Sequence, residues 1–275
     1  MNRRAQPWLG TLVEITIADP LGDTELISCF NEAFARVAEV HRLMSFHDPA
    51  SDVSRINHAA IGESVGIHAH TCEVIRNAIS MASATGGIFD ITCASKLVEW
   101  GYLPMLAADL PEHVPGRSAL VLQDGNRIKK TSAAWIDLGG IAKGYAVDLA
   151  IAALRQSGIR SACVNAGGDL RAFGDIAYPV VVRHPAYPNE AALQTQLRGE
   201  ALATSGTYFS RKRIDGRECS ALINGSDSQP ITAGFSASIR APTCMLADAL
   251  TKVVMASGDP RHTVLERSGA AAFIM

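Results

Sequence analysis

The sequence predicts an α+β protein, and three observations carry that expectation. Four stretches have helical periodicity and six short stretches have strand character. They are interleaved without the regular βαβα rhythm that builds a doubly wound parallel sheet. At 275 residues, 48% of them apolar, the chain is long enough to bury a substantial core as one unit, and no linker divides residues 1–275.

Taken in order, residues 11–18 alternate, with Val13, Ile15 and Ile17 on one face of a strand. Residues 24–45, "TELISCFNEAFARVAEVHRLMS", repeat apolar side chains at helical spacing, with Asp23 or Thr24 available as N-cap. A second helix is expected over 71–84, stopped by Gly86-Gly87. The Pro-rich, unpatterned residues 104–116 read as a surface excursion. A strand over 118–123 follows, then the helix "AKGYAVDLAIAALRQSG", ended by Gly158. Strands are expected over 160–166, 178–184, 200–204 and 235–240. The last helix lies in "APTCMLADALTKVVMASG", residues 241–258.

Charge and composition exclude some functions. A formal net charge of −2 gives no general pull toward nucleic acid. No apolar run of about 18 residues suggests direct membrane insertion. Arg3 and Arg4 precede a strand rather than an apolar leader segment, so the chain as given is expected in the cytoplasm, or in the periplasm had a leader been removed. The six cysteines are scattered without metal or redox spacing, and free thiols are expected.

Chemistry concentrates where glycine pairs or hydroxyls meet polar residues: "ATGGIFDITCASK", "IDLGGIAKGYAVD", "ACVNAGGDLRAFG" and "ALATSGTYFSRK". A glycine pair at a helix start bares N–H groups to an anion, although each pair alone is more often only a tight turn. The middle stretch is neither a Walker A loop nor a dinucleotide fingerprint. "MSFHDPASDVSRIN" adds His47, which in a loop is more often a solvated histidine than a base. In the last helix Asp248 and Lys252 stand four apart with Thr251 beside them. This is either an ordinary i,i+4 ion pair or a polar cluster at a ligand.

Together these stretches, in this order, resemble the flavin transferase (ApbE) family over nearly the whole chain, from "LGTLVEITI" to the final helix. The carriers are Gly10-Thr11, Met44-Ser45, Phe89-Asp90-Ile91-Thr92, Asp137 to Tyr145, Gly167-Gly168-Asp169, Ala203 to Gly206, and Ala241 to Leu250. The resemblance implies two related sheet-and-helix halves, akin to the tunnelling fold, with FAD in the cleft between them. It implies transfer of FMN from FAD to a Thr or Ser of an acceptor protein through a phosphoester bond, with Mg²⁺, releasing AMP.

It also implies residue roles. FAD would be bound by Met44, His47, Asp48, Pro49, Ile88, Phe89, Asp90, Thr92, Asp137, Lys143, Gly168, Thr204, Ser205, Ile223 and Lys252. Asp248 would be the catalytic carboxylate and a metal ligand, with the Gly140 carbonyl and Thr251 as further ligands.

The sequence departs from the family pattern twice. Lys252 stands where a ligating Thr is usual. An ammonium cannot bind a metal, so either Thr251 substitutes or Lys252 supplies charge against the pyrophosphate. In "CSALINGSDSQPI" the usual His-Ile-Ile-Asp-Pro-x-Thr-Gly-x-Pro is replaced, putting Ala221 at the His, Asn224 at the Asp, Gly225 at the Pro and Ser228 at the Gly. An FAD-binding protein without transfer, or an FAD pyrophosphatase giving FMN and AMP, are the competing expectations.

Overall fold

In the computed structural model, which describes residues 1–187 and 189–275, the chain runs through sixteen strands and seven helices. It begins β1 (Asn2–Trp8), β2 (Thr11–Ile17), α1 (Asp23–Met44), α2 (Asp52–His58), β3 (Ser64–Gly66), α3 (Ala69–Ala84) and α4 (Ala94–Glu99). Next come β4 (Leu120–Gln123), β5 (Arg127–Lys130), α5 (Ala142–Gln156), β6 (Ala162–Ala166), β7 (Asp169–Phe173), β8 (Tyr178–Arg183) and β9 (Ala191–Leu197). The last part is β10 (Ala201–Gly206), β11 (Lys212–Ile214), β12 (Arg217–Cys219), β13 (Ile223–Asn224), β14 (Gln229–Pro230), β15 (Ser236–Ala241), α6 (Cys244–Ser257), α7 (Thr263–Arg267) and β16 (Ala271–Ile274).

The organising element is a seven-stranded sheet in the order β1-β2-β6-β7-β10-β15-β16, antiparallel throughout. Its two wings meet where β7 pairs with β10 over only two residues, Arg171 with Ala201 and Leu170 with Leu202. These wings, with α1 and α5 packed toward one and α6 against β10 and β15 of the other, are the expected sheet-and-helix halves. A three-stranded sheet, β3-β5-β4, and three hairpins stand apart from it.

Burial follows the patterns that predict the elements. On β2, Val13, Ile15 and Ile17 are fully buried, as the alternation requires. On α1 the inward stripe is Leu26, Phe30, Ala33, Phe34, Val37, Val40 and Met44, and each large side chain there contributes roughly 1.5–3 kcal/mol. The start of α1 differs from expectation. Gly22 is its N-cap and makes no side-chain bond, while Asp23 and Glu25 complement the dipole from inside the first turn. Gly86, Gly158 and Gly258 take positive φ just beyond α3, α5 and α6.

Helices α5 and α6 approach backbone to backbone. A Cβ on Gly144 would lie 2.2 Å from the Cys244 carbonyl oxygen, so only glycine permits this contact. One turn later Asp148 accepts the amides of Cys244 at 3.0 Å and Met245 at 2.9 Å. Helix α5 therefore caps α6, and the Thr243 hydroxyl oxygen adds the Leu246 amide.

Residues 104–116 are mostly exposed, as expected, with one exception: His113 is buried. The cysteines Cys29, Cys72, Cys163, Cys219 and Cys244 are buried free thiols, and Cys93 is a half-buried one. No helix among the described residues is long and apolar enough to cross a membrane.

Candidate functional site

The close α5–α6 contact assembles a charged cluster at the seam between the wings. Asp169 opens β7, Lys143 lies in the first turn of α5, and Asp248 and Lys252 lie one turn apart on α6. Lys143 Nζ is 2.5 Å from Asp169 Oδ2 and 3.5 Å from Asp248 Oδ1. Lys252 Nζ donates to Asp248 Oδ1 and, at 3.1 Å, to the Asp248 carbonyl. The Gly144 amide donates to the other Asp248 oxygen at 3.1 Å. Two carboxylates thus face two ammoniums.

The electrostatics follow. Burial works against the Asp248 charge, but the ammoniums of Lys143 and Lys252 and the Gly144 N–H outweigh it and hold the carboxyl below its ordinary range. Asp169 goes the other way, pushed up by burial and then by the Asp248 charge. Desolvation works against the half-buried Lys143 ammonium, yet the Asp169 and Asp248 carboxylates outweigh it and hold its pKa above the ordinary lysine value.

This arrangement bears on two expectations. Asp248 is fully buried with both carboxylate oxygens engaged, and in this structure it anchors the ammoniums. The donor set also does not suit a divalent cation. Its carboxylate is already matched by two positive side chains, and Lys252 crosses in front of Gly140, where a Cβ would lie 3.5 Å from Lys252 Cε. Thr251 is engaged elsewhere: its hydroxyl donates to the Asp248 carbonyl at 2.6 Å and meets Ser205 Oγ at 2.7 Å.

Other expected residues gather beside the cluster. Phe89 sits against Gly140, 3.6 Å from a Cβ placed there. The Asp137 amide donates to the Ile91 carbonyl at 2.9 Å, fixing residues 88–92 alongside the Gly139-Gly140 turn. Burial raises the Asp137 carboxyl, against the Gly139 N–H and the charges of His47 and Lys143. His47 and Pro49 are exposed and Asp48 half-buried in the loop after α1, with the Asp48 carboxylate accepting the Ala50 amide at 2.9 Å. Met44, by contrast, is a buried core residue at the end of α1, where its side chain completes the inward stripe.

A hydrogen-bonded clasp closes the other side. Asp90 Oδ1 accepts the Thr92 hydroxyl and amide, each at 2.7 Å. Asp90 Oδ2 lies 3.1 Å from His113 Nε2, and His113 Nδ1 lies 2.7 Å from Ser228 Oγ. The Gly225 amide donates to the Ile88 carbonyl at 3.0 Å, and the β13–β14 hairpin bearing Ile223 packs on α6. Ser228, at the position of a family Gly, keeps a left-handed φ of 60°. Gly225, at the position of a family Pro, is now obligatory, since a Cβ would lie 2.4 Å from that of Asp90. The substituted loop has therefore gained its own packing, while Ala221 is exposed.

Gly168, Thr204 and Ser205 belong to a separate rim. They line a cavity of about 960 Å³ between the sheet and the β8–β9 hairpin, together with Tyr208 and Phe209. Thr204 Oγ1 meets Ser238 Oγ at 2.7 Å. The Ser205–Thr251 hydroxyl contact, with the packing of β10 on α6, links this rim to the helix. Sequence reasoning missed two residues of the site, Asp169 and His113. The Gly-Gly-Asp motif contained the signal for the first, and nothing local marked the second.

The ApbE family model matches residues 9–274. The chain is 26% identical over 284 residues to the FAD:protein FMN transferase of Vibrio cholerae, covering 98% of this chain and 85% of that protein. It is 26% identical to the FAD:protein FMN transferase of Salmonella typhimurium, over 85% of this chain and 72% of that one. Among solved structures, the ApbE protein of Thermotoga maritima superposes with a TM-score of 0.86 at 26% identity, covering 99% and 93% of the two chains. The apo form of Pseudomonas stutzeri flavinyl transferase ApbE gives a TM-score of 0.82 at 25% identity, covering 99% and 90%. With its fold, motif order and near-complete match in agreement, this chain belongs to the ApbE family.

Proposed function

We propose that this protein transfers the FMN portion of FAD to a Thr or Ser hydroxyl of an acceptor protein, with the Lys252 ammonium supplying positive charge where relatives are expected to use a metal ion. The observation carrying the second part is the convergence of Lys143 and Lys252 on Asp248 at the seam.

The acceptor oxygen bonds to the FMN phosphorus as the bond from that phosphorus to the bridging oxygen breaks. The hydroxyl proton passes to a base, and AMP leaves with the bridging oxygen. Catalysis of such a step is mostly positioning and charge stabilisation. Lys143 and Lys252, held by Asp169 and Asp248, are arranged to meet phosphate oxygens without moving far. Phe89, Ile88 and Ile223 offer apolar surface to the flavin, and Asp90 and Asp137 offer acceptors to its polar edge or to ribose.

The substituted position Ala221 motivates a second reading, FAD binding without transfer. Incubation with FAD and an acceptor protein of a related transferase, followed by in-gel flavin fluorescence, acceptor mass and AMP release, separates the readings. Covalent FMN on the acceptor with equimolar AMP is expected. Bound FAD without AMP overturns transfer in favour of simple binding, and free FMN with AMP but no labelled protein overturns it in favour of a pyrophosphatase.

A further inference from the structure

A second set of convergent ligands lies outside the seam. Glu39 projects from α1, and His68 and His70 stand at the start of α3, which packs against α1. Their ligand atoms lie within 4.8 Å of one another. His68 Nε2 is 3.9 Å from Glu39 Oε1, too long for a hydrogen bond but compatible with two donors each about 2.1 Å from a common ion. The two imidazoles lie with centroids 4.9 Å apart.

We propose that Glu39, His68 and His70 form a binding site for a borderline divalent transition metal, of which Zn²⁺ is the simplest probe. Two imidazoles and one carboxylate favour such ions over Mg²⁺ or Ca²⁺, and three protein ligands leave a position for water.

The surroundings orient these ligands. Arg36 Nη1 holds the second Glu39 oxygen at 3.2 Å, leaving Oε1 toward the histidines. His70 Nδ1 lies 2.8 Å from the Tyr145 hydroxyl, which fixes the ring and leaves Nε2 for the ion. His68 Nδ1 accepts the His70 amide at 3.2 Å. Capture through His68 Nε2 moves that ring's proton to Nδ1 and gives up this cap bond. The site ties α1 to α3 and, through Tyr145, to α5. It is independent of the transferase reading.

The test is titration of the full-length, chelator-stripped protein with Zn²⁺ by calorimetry and with Co²⁺ by visible absorption. One ion per chain and a Co²⁺ ligand-field spectrum are expected. His68→Ala and His70→Ala each abolish both signals. The isosteric Glu39→Gln weakens binding while preserving the fold, and Tyr145→Phe keeps the stoichiometry with roughly tenfold lower affinity. No binding to the unaltered chain overturns the proposal. So does equal binding by a folded His68→Ala/His70→Ala chain, as judged by circular dichroism.

Discussion

The α5–α6 seam and the clasp around Asp90 hold their carboxylates by different means. At the seam, Asp248 is neutralised by two ammoniums brought in by a helix contact that only Gly144 allows. In the clasp, Asp90 is held by the hydroxyl and amide of Thr92, two residues on, and by the His113 imidazole from a separate loop. The seam pairs two ammoniums with two carboxylates. The clasp instead fixes the walls beside it. Under the proposed function, charge for chemistry and rigidity for binding come from separate regions.

Removing the centre of the seam tests that division most severely. Asp248→Ala strands two half-buried ammoniums that lose their shared partner, with Asp169 left for only one of them. A destabilisation of about 3 kcal/mol is expected, read from urea unfolding, together with loss of FMN transfer. An unchanged unfolding midpoint would show that the carboxylate does not anchor the lysines.

The clasp responds less. His113→Ala leaves Asp90 Oδ2 and Ser228 Oγ without their shared partner, and a loss of about 1–3 kcal/mol is expected. The variant retains the seam, so AMP release per bound FAD remains near that of the unaltered chain while FAD affinity falls. Equal losses in both quantities would break the distinction between regions.

Asp137, next to the seam and bonded to the 88–92 segment, gives the smallest and most diagnostic effect. Its folded-state carboxyl is raised by burial, so the native chain holds its proton more tightly than the unfolded chain. Stability from this group therefore falls as pH rises from the ordinary carboxylate range through the folded value. Asp248, held low, contributes the reverse, with stability present above that range and lost as pH falls through its folded value. In Asp137→Asn, which retains an acceptor for the Gly139 amide, stability relative to the unaltered protein should improve over the interval in which pH rises above the ordinary carboxylate range. A constant difference across that interval would contradict the assigned direction.

Much of the seam was legible in the sequence because its parts are local. Lys143 and Gly144 sit in one motif, Asp248 and Lys252 share a helix face, and the long helices declare themselves by periodicity. What local pattern could not give was the partner of each charge: the i,i+4 pair did form, but Lys143 and Asp169 joined it through tertiary packing. The clasp was hidden because His113 and Ser228 are separated by 115 positions and sit in unpatterned loops. Strand β1, "NRRAQPW", was missed for another reason. It is a polar edge strand with little burial, specified by pairing with β2. The substituted loop read as lost chemistry, whereas its backbone keeps the turn and packs Gly225 on Asp90.

The central claim is that Lys252 is the resident cation of the transfer site. It is tested most directly by measuring FMN transfer from FAD to an acceptor protein in excess chelator and again with added Mg²⁺, for the unaltered chain and for Lys252→Thr. The account predicts transfer by the unaltered chain in chelator, and a Lys252→Thr chain at least about tenfold slower that recovers with Mg²⁺. Transfer by the unaltered chain that disappears in chelator and returns with Mg²⁺ would contradict it.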